Sequence, residues 1–384
     1  MTDTIDAQEL KALVQSVFSP TPEDRHLLLM VDVPDDTLPD TDLWCTRRGL
    51  AQEWCGKLDA VKGELGLDSV RLLTYPNVHS NNAELPAWGV FVETDLENLT
   101  TDKLAVMDNR VAIEDVLAKV QIVLAPTQLS TTAPMKLLAR KHRFRAATMP
   151  GFTPAMIPAL RIDYGEVNRR VNRIKEEVTR AEALDVHFTV DGKDRYDVHF
   201  DLRHRAGHAS GGRFPTMGEA GNLPSGECYI VPYEGEGEET SQSEGVLPVQ
   251  LNDEVVIYRI ARNKAVEVLS QGRLSAGEAQ RIKDEPAYAN IAELGFGVLK
   301  DFGLGPVGVT LLDEKLGLHI AFGRSDHFGG AVGVKDFSSP AAVLHIDRIY
   351  IPETAPRIQV DLVRLSMPDG GTLNIMRDGR YTIF

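Results

Sequence analysis

Apolar positions in the first half of the chain switch between two spacings. Leu10, Leu13, Val14 and Val17 recur at helical intervals, which predicts a helix over 7–18. HLLLMVDV at 26–33 is a short unbroken apolar run closed by Pro34 and a polar turn, the pattern of a buried strand. A helix over 46–63, a strand over 69–74 and an apolar run at 118–125 ending at Pro126 continue the alternation. Such a succession predicts an α/β domain with a largely parallel sheet. A charged helical stretch at 164–184 then leads onward.

Near residue 183 the texture changes. Residues 184–190 and 196–202 read as neighbouring strands joined by a turn at Asp191-Gly192. Glycine-rich loops and short strands follow, with few long helices. The expected organisation is an N-terminal α/β domain at 1–184 and a β-rich α+β domain at 185–384. The acidic segment EGEGEETSQSE at 234–244 reads as a solvated surface loop.

Composition narrows the function classes. A length of 384 residues suits two domains, and 43% hydrophobic with 25% charged residues describes an ordinary globular chain. Acidic residues outnumber basic ones 56 to 41, a net charge of −15 that argues against nucleic-acid or anionic-membrane partners. The opening stretch holds Asp3, Asp6 and Glu9 without an apolar run, so neither a secretory signal nor a transit peptide is expected. No stretch is apolar for long enough to cross a bilayer. Three scattered cysteines are too few for a disulfide framework, so a reducing, cytoplasmic setting is the expectation.

Seven of the ten histidines follow residue 184, which locates imidazole chemistry in the second half. His345 and Asp347 lie in AAVLHIDRIYI, a strand-forming context in which positions i and i+2 share a face. An imidazole and a carboxylate converging in this way can bind zinc, manganese, cobalt or iron; the alternative is a strand with a polar, solvated face. His319, in GLHIAFG, is either a satisfied core histidine or a ligand. Glu227 precedes the apolar 228–231, and Glu293 sits inside NIAELGFG. A glutamate in such company reaches out to solvent or is paired, and a cation is one partner that cancels the desolvation cost. GLGPVG at 303–308 fits a dinucleotide fingerprint in letters only, because Pro306 interrupts it and no βαβ unit surrounds it. His204 and His208 have metal-helix spacing but lie in a glycine-broken stretch, which leaves them as candidate substrate contacts.

Taken together, NLPSGECYIVP at 222–232, Glu293, HIAFG at 319–323 and the H-x-D strand at 345–347 resemble the aminopeptidase T/aminopeptidase S family of metallopeptidases. The ending DGGTLNIMRDGRYTIF resembles the terminal hairpin of that family. The resemblance runs from about residue 183 to the end. It implies Glu227, Glu293, His319, His345 and Asp347 as ligands of two divalent ions (zinc, cobalt or manganese) in a homodimer acting on peptides. It further implies Glu293 as general base and Glu227 as the bridging carboxylate. One departure stands out: where the family carries a tyrosine shortly after HIAFG, this chain has Asp326, followed by His327. An ionised aspartate cannot donate to an oxyanion as a phenol does, so Asp326 or His327 is expected to supply a further ligand or an acid/base group. Ring-cleaving dioxygenases of the 2,5-dihydroxypyridine type resemble the same family and hold one iron, which gives a second expectation for a small-molecule substrate. A non-catalytic metal-binding relative is the third.

Overall fold

The computed structural model describes residues 4–92 and 95–384. The chain falls into two compact units, Met1–Asn168 with Gly212–Ser225, and Arg169–Gly211 with Gly226–Phe384. This differs in two respects from a division at 184/185. The boundary crosses the helix Tyr164–Arg180, and residues Gly212–Ser225 return to the first unit. The physical reason for the return is a strand pairing between distant residues, Ala220–Asn222 alongside Arg145–Thr148. Local periodicity carries no trace of such a contact.

The first unit is built on a seven-stranded sheet. Its order is 220–222, 145–148, 122–125, 26–33, 69–76, 88–91 and 110–112; the first five run parallel, 88–91 runs against them, and 110–112 pairs antiparallel with 88–91. Residues 27–33 are buried without alternation, as expected of a central strand covered on both faces. The helix Ala7–Phe18 forms as its spacing predicts and opens on a capping box between Asp6 and Glu9. The apolar run at 118–125 contributes only Ile122–Ala125 as strand. The run is longer than the strand because residues 113–117 before it are helical and Ala118 caps that helix.

The second unit holds two antiparallel sheets. One has eight strands in the order 264–268, 254–261, 244–251, 194–201, 183–190, 358–366, 372–377 and 380–381. Its first hairpin turns at Asp191 and Gly192 with φ of 52° and 68°, the left-handed pair that a tight hairpin turn demands. The other sheet has five strands in the order 345–349, 318–323, 291–297, 227–230 and 208–210. The expectation of few long helices is modified by Arg273–Asp284, twelve residues whose Ser275 and Gly277 disguise the helical pattern.

Candidate metal centre

Every sequence-predicted ligand lies on the five-stranded sheet, on four different strands. Its antiparallel register sets Tyr229 opposite Gly295 and Gly295 opposite His319, and aligns Glu293 with Ala321 and Ala321 with Asp347. Glu227 stands opposite Gly297 and His345 opposite Gly323. Because directly opposed residues point to one side and the side-chain period is two, these residues share a single face. Between the ligands the face carries glycine and alanine. A Cβ added at Gly295 would lie 1.8 Å from His319 Nε2, and one at Gly297 would lie 2.1 Å from the Lys315 backbone. The imidazole of His319 occupies the space that a side chain at 295 would need.

The five side chains form two overlapping groups, Glu227–Glu293–His319 and Glu293–His345–Asp347, each with ligand atoms within 4.8 Å of one another. His319 Nε2 is 3.4 Å from Glu293 Oε1 and 3.5 Å from Glu227 Oε2. His345 Nε2 is 3.2 Å from Glu293 Oε2 and 3.5 Å from Asp347 Oδ1. The carboxylate common to both groups is therefore Glu293, with one oxygen turned to each imidazole. Glu227, the residue the family resemblance makes the bridge, belongs to one group only. With both its oxygens engaged, Glu293 is also poorly placed as a general base.

Three observations test whether a cation fits. His345 Nδ1 donates to the Arg324 carbonyl at 2.8 Å, which fixes Nδ1 as the protonated nitrogen and turns Nε2 into the cluster. Nε2–O separations of 3.2–3.5 Å are longer than the ~2.7–2.9 Å of a charge-assisted hydrogen bond. They match the edges of about 3.0–3.5 Å between ligands that each lie ~2.0–2.1 Å from one ion. Finally, Glu227 Oε2 is buried without any hydrogen-bond partner, a costly state that a bound cation removes. The donor set of imidazole and carboxylate suits zinc, manganese, cobalt or iron.

The electrostatics agree. Burial pushes the Glu293 carboxyl up, but hydrogen bonds and charge from His319 and His345 prevail and hold it below the usual carboxylate range. For His319, burial disfavours the charged ring, yet Glu293 and Glu227 raise it to about 9. His345 is likewise held well above the ordinary imidazole value, against burial, by Asp347 and Glu293. Both rings thus hold a proton near neutrality in the ion-free protein, and a cation must displace it. Uptake of zinc is expected to release protons and to tighten by up to about tenfold per pH unit for each proton displaced, until pH passes about 9. Calorimetry in two buffers of different ionisation enthalpy measures the release; an affinity independent of pH would contradict the assignment of Nε2 as ligand.

Asp326 and His327 do not join either group. Asp326 is more than a third exposed and accepts from Arg324 Nε at 2.5 Å. Its carboxyl stays below the usual range because Arg324 and His327 outweigh burial. His327 stands beside the second group, its ring 5.4 Å from that of His345 and nearly perpendicular to it. Burial, with His345 and Arg324 nearby, lowers it to about 4, so it is neutral near pH 7. His208 stacks on Tyr229 at 5.2 Å and His204 packs edge-on against Tyr233, so their four-residue spacing does not bring them together as ligands.

Sequence reasoning missed four residues at this centre: Lys315, its partner Glu314, Tyr229 and Glu234. Lys315 is buried, and its Nζ donates to Glu227 Oε1 at 2.6 Å and to Glu314. Burial opposes its charge, but these two carboxylates hold the ammonium well above the ordinary lysine range. The signal was present as a charged Glu-Lys pair four to five residues before a candidate metal histidine. Tyr229, two positions after Glu227 on the same face, packs on Phe328 at 4.8 Å; strand alternation from Glu227 would have found it. The fourth, Glu234, opens the segment read as solvated surface, yet its side chain is only 5% exposed. Polar composition describes Glu238 and Glu239 and hides Glu234 together with Ser241 and Ser243, which are also buried.

No family profile and no curated protein matches the sequence. Solved structures do. The chain is similar to 2,5-dihydroxypyridine dioxygenase from Pseudomonas putida, with a TM-score of 0.60 at 14% identity, covering 99% of this chain and 98% of that one. It is also similar to wild-type AmpT from Thermus thermophilus, with a TM-score of 0.53 at 14% identity and 98% of both chains covered. At such identity the likeness is one of fold, and the fold that carries this cluster is one that enzymes of both kinds share.

Proposed function

We propose that this chain is a metal-dependent hydrolase of the aminopeptidase T/aminopeptidase S kind, removing N-terminal residues from peptides, with Glu227, Glu293, His319, His345 and Asp347 as its cation ligands. The observation that carries the reading is the double use of Glu293, one oxygen toward each of two overlapping groups. A shared carboxylate between two three-residue groups suits a pair of divalent ions. When bound, such ions supply Lewis acidity toward the scissile carbonyl and an acidified water. The chain's own residues contribute the rest. The Arg324 carbonyl and the backbone of Gly317 orient the two imidazoles. His327, adjacent to His345 and outside the ligand set, is the remaining imidazole at the centre; lowered to about 4, it is neutral near pH 7 and a weak proton acceptor there. Lys315 stays charged between Glu227 and Glu314 and offsets part of the negative charge of the cluster.

Lys315 also favours a second reading. With Glu227 already paired to an ammonium, Glu293, His345 and Asp347 are left as a set for a single ion. One ferrous ion so held would have one imidazole and two carboxylates, against the two imidazoles and one carboxylate usual in non-haem iron oxygenases. The likeness to 2,5-dihydroxypyridine dioxygenase is what supports an oxygen-dependent ring-cleaving reading. In either case the proposal places a homodimer in the cytoplasm, acting on a peptide or other small molecule. No described helix is long and apolar enough to cross a membrane.

Elemental analysis of gently purified protein, paired with two activity assays, decides between the readings. Two ions per chain and release of p-nitroaniline from aminoacyl anilides support hydrolysis. One iron, with oxygen uptake on 2,5-dihydroxypyridine, supports the second reading. A chain that takes up no divalent ion sinks both.

A further inference from the structure

We propose that Glu234 is a positioning residue for the metal centre: by anchoring the loop at 324–332 it holds the Arg324 carbonyl against His345 Nδ1 and so sets the affinity for the cation. The inference rests on the metal-binding reading above and adds to it a residue that touches none of the ligands.

The argument begins with what Glu234 binds. Its Oε1 accepts from Ser325 Oγ at 2.6 Å and from Asn290 Nδ2 at 2.6 Å. Its Oε2 accepts from the Ala331 amide and lies 3.7 Å from Arg205 Nη2. One buried carboxylate therefore ties both ends of the loop to the sheet. Asn290 continues the tie: its Nδ2 also donates to the Gly323 carbonyl at 3.0 Å, and its own carbonyl accepts from the Gly323 amide at 2.9 Å. Arg205 donates to the Gly329 carbonyl at 3.0 Å. Within the loop, the amides of Ser325 and Asp326 donate to the Val332 carbonyl at 2.9 and 3.0 Å, and the Gly330 amide donates to the Ser325 carbonyl at 3.0 Å. The packing leaves no slack, since a Cβ at Gly330 would lie 2.2 Å from Ser325 Oγ and 3.0 Å from Glu234 Oε2.

Arg324 is the residue between this anchor and the metal centre. Its amide donates to the Leu344 carbonyl at 2.9 Å and its carbonyl accepts from His345 Nδ1 at 2.8 Å. Ser325, the next residue, is the one Glu234 grips. Outer hydrogen bonds to a ligating imidazole fix its protonated nitrogen and its orientation, and their loss costs metal affinity about 10–100-fold. Glu234 acts one step further out, through the peptide that carries the accepting carbonyl.

Glu234→Gln keeps the shape but sets an amide N–H against the Ala331 N–H or against the Ser325 and Asn290 donors. The test uses the full chain with cobalt(II) as probe, reading the dissociation constant by chelator competition and the visible ligand-field spectrum. The expected result is about a tenfold or greater loss of cobalt affinity with a changed spectrum. Should Glu234→Gln fail to fold, Ser325→Ala severs the same grip and is expected to weaken cobalt binding in the same direction. A folded variant with wild-type affinity and spectrum, even at reduced thermal stability, overturns the proposal and leaves Glu234 a fold-stabilising residue. Failure of the wild-type chain to bind cobalt overturns instead the metal-binding reading on which the proposal depends.

Discussion

Replacing Glu293 with alanine is expected to remove divalent-ion binding from both halves of the candidate centre at once and, on the proposed hydrolase reading, to lower turnover at least a thousandfold. No other single ligand does this, because only Glu293 belongs to both three-residue groups. Each group drops to two ligands, and His319 and His345 lose the carboxylate oxygens at 3.4 and 3.2 Å that face them. A thousandfold loss corresponds to about 4 kcal/mol of transition-state stabilisation, within what metal-assisted water activation supplies. Glu227→Ala and Asp347→Ala each touch one group, so each should leave part of the metal complement in place. Elemental analysis of the three variants checks the ranking. Retention of half the ions by Glu293→Ala would mean that the two groups do not share that residue functionally.

The second large effect is on stability. Lys315→Met should destabilise the ion-free chain by about 3–5 kcal/mol, because it strands the buried Glu227 carboxylate without its ammonium and removes the cation beside Glu314, whose carboxyl burial already pushes up to about 8. The loss is one of pairing rather than of volume, since methionine fills nearly the same space. Urea unfolding with and without saturating zinc measures it. Added metal is expected to recover a larger share of stability in the variant than in the wild type, because the ion then supplies the positive charge that Lys315 gave up. An unchanged midpoint in the absence of metal would show that neither glutamate relies on the lysine.

Much of this molecule is legible in its residues, and the exceptions have a common cause. Short-range patterns carry the helix at 7–18, the buried strand at 26–33 and the Asp191-Gly192 hairpin, since each depends on neighbours within a few positions. The convergence of the five candidate ligands is legible because each is a charged or imidazole group set among apolar and small residues, where it would be costly without a partner. What stays hidden depends on chain segments that meet across long separations. The strand at 220–222 joins a sheet formed by residues more than seventy positions earlier, and nothing in AGN announces it. The sharing of Glu293 rather than Glu227 follows from the strand order 345–349, 318–323, 291–297, 227–230, which puts Glu293 beside the middle of the cluster and Glu227 at its edge. Glu234 was masked by a run of polar and acidic neighbours whose composition says nothing about its burial.

The ligands sit on four adjoining strands, and the residues between them are glycine and alanine. Chemistry here is consequently more sensitive to length than to the identity of nearby surface residues. Deleting or inserting one residue within any of these strands would rotate its ligand to the opposite side of the pleat and dismantle the centre in a single step. Among the loops that join the strands, the one at 324–332 is constrained as well, because Glu234 ties both of its ends to the sheet. Asp326 and His327 stand in that loop with side chains outside both groups, so a substitution there leaves the register of the pleat unchanged.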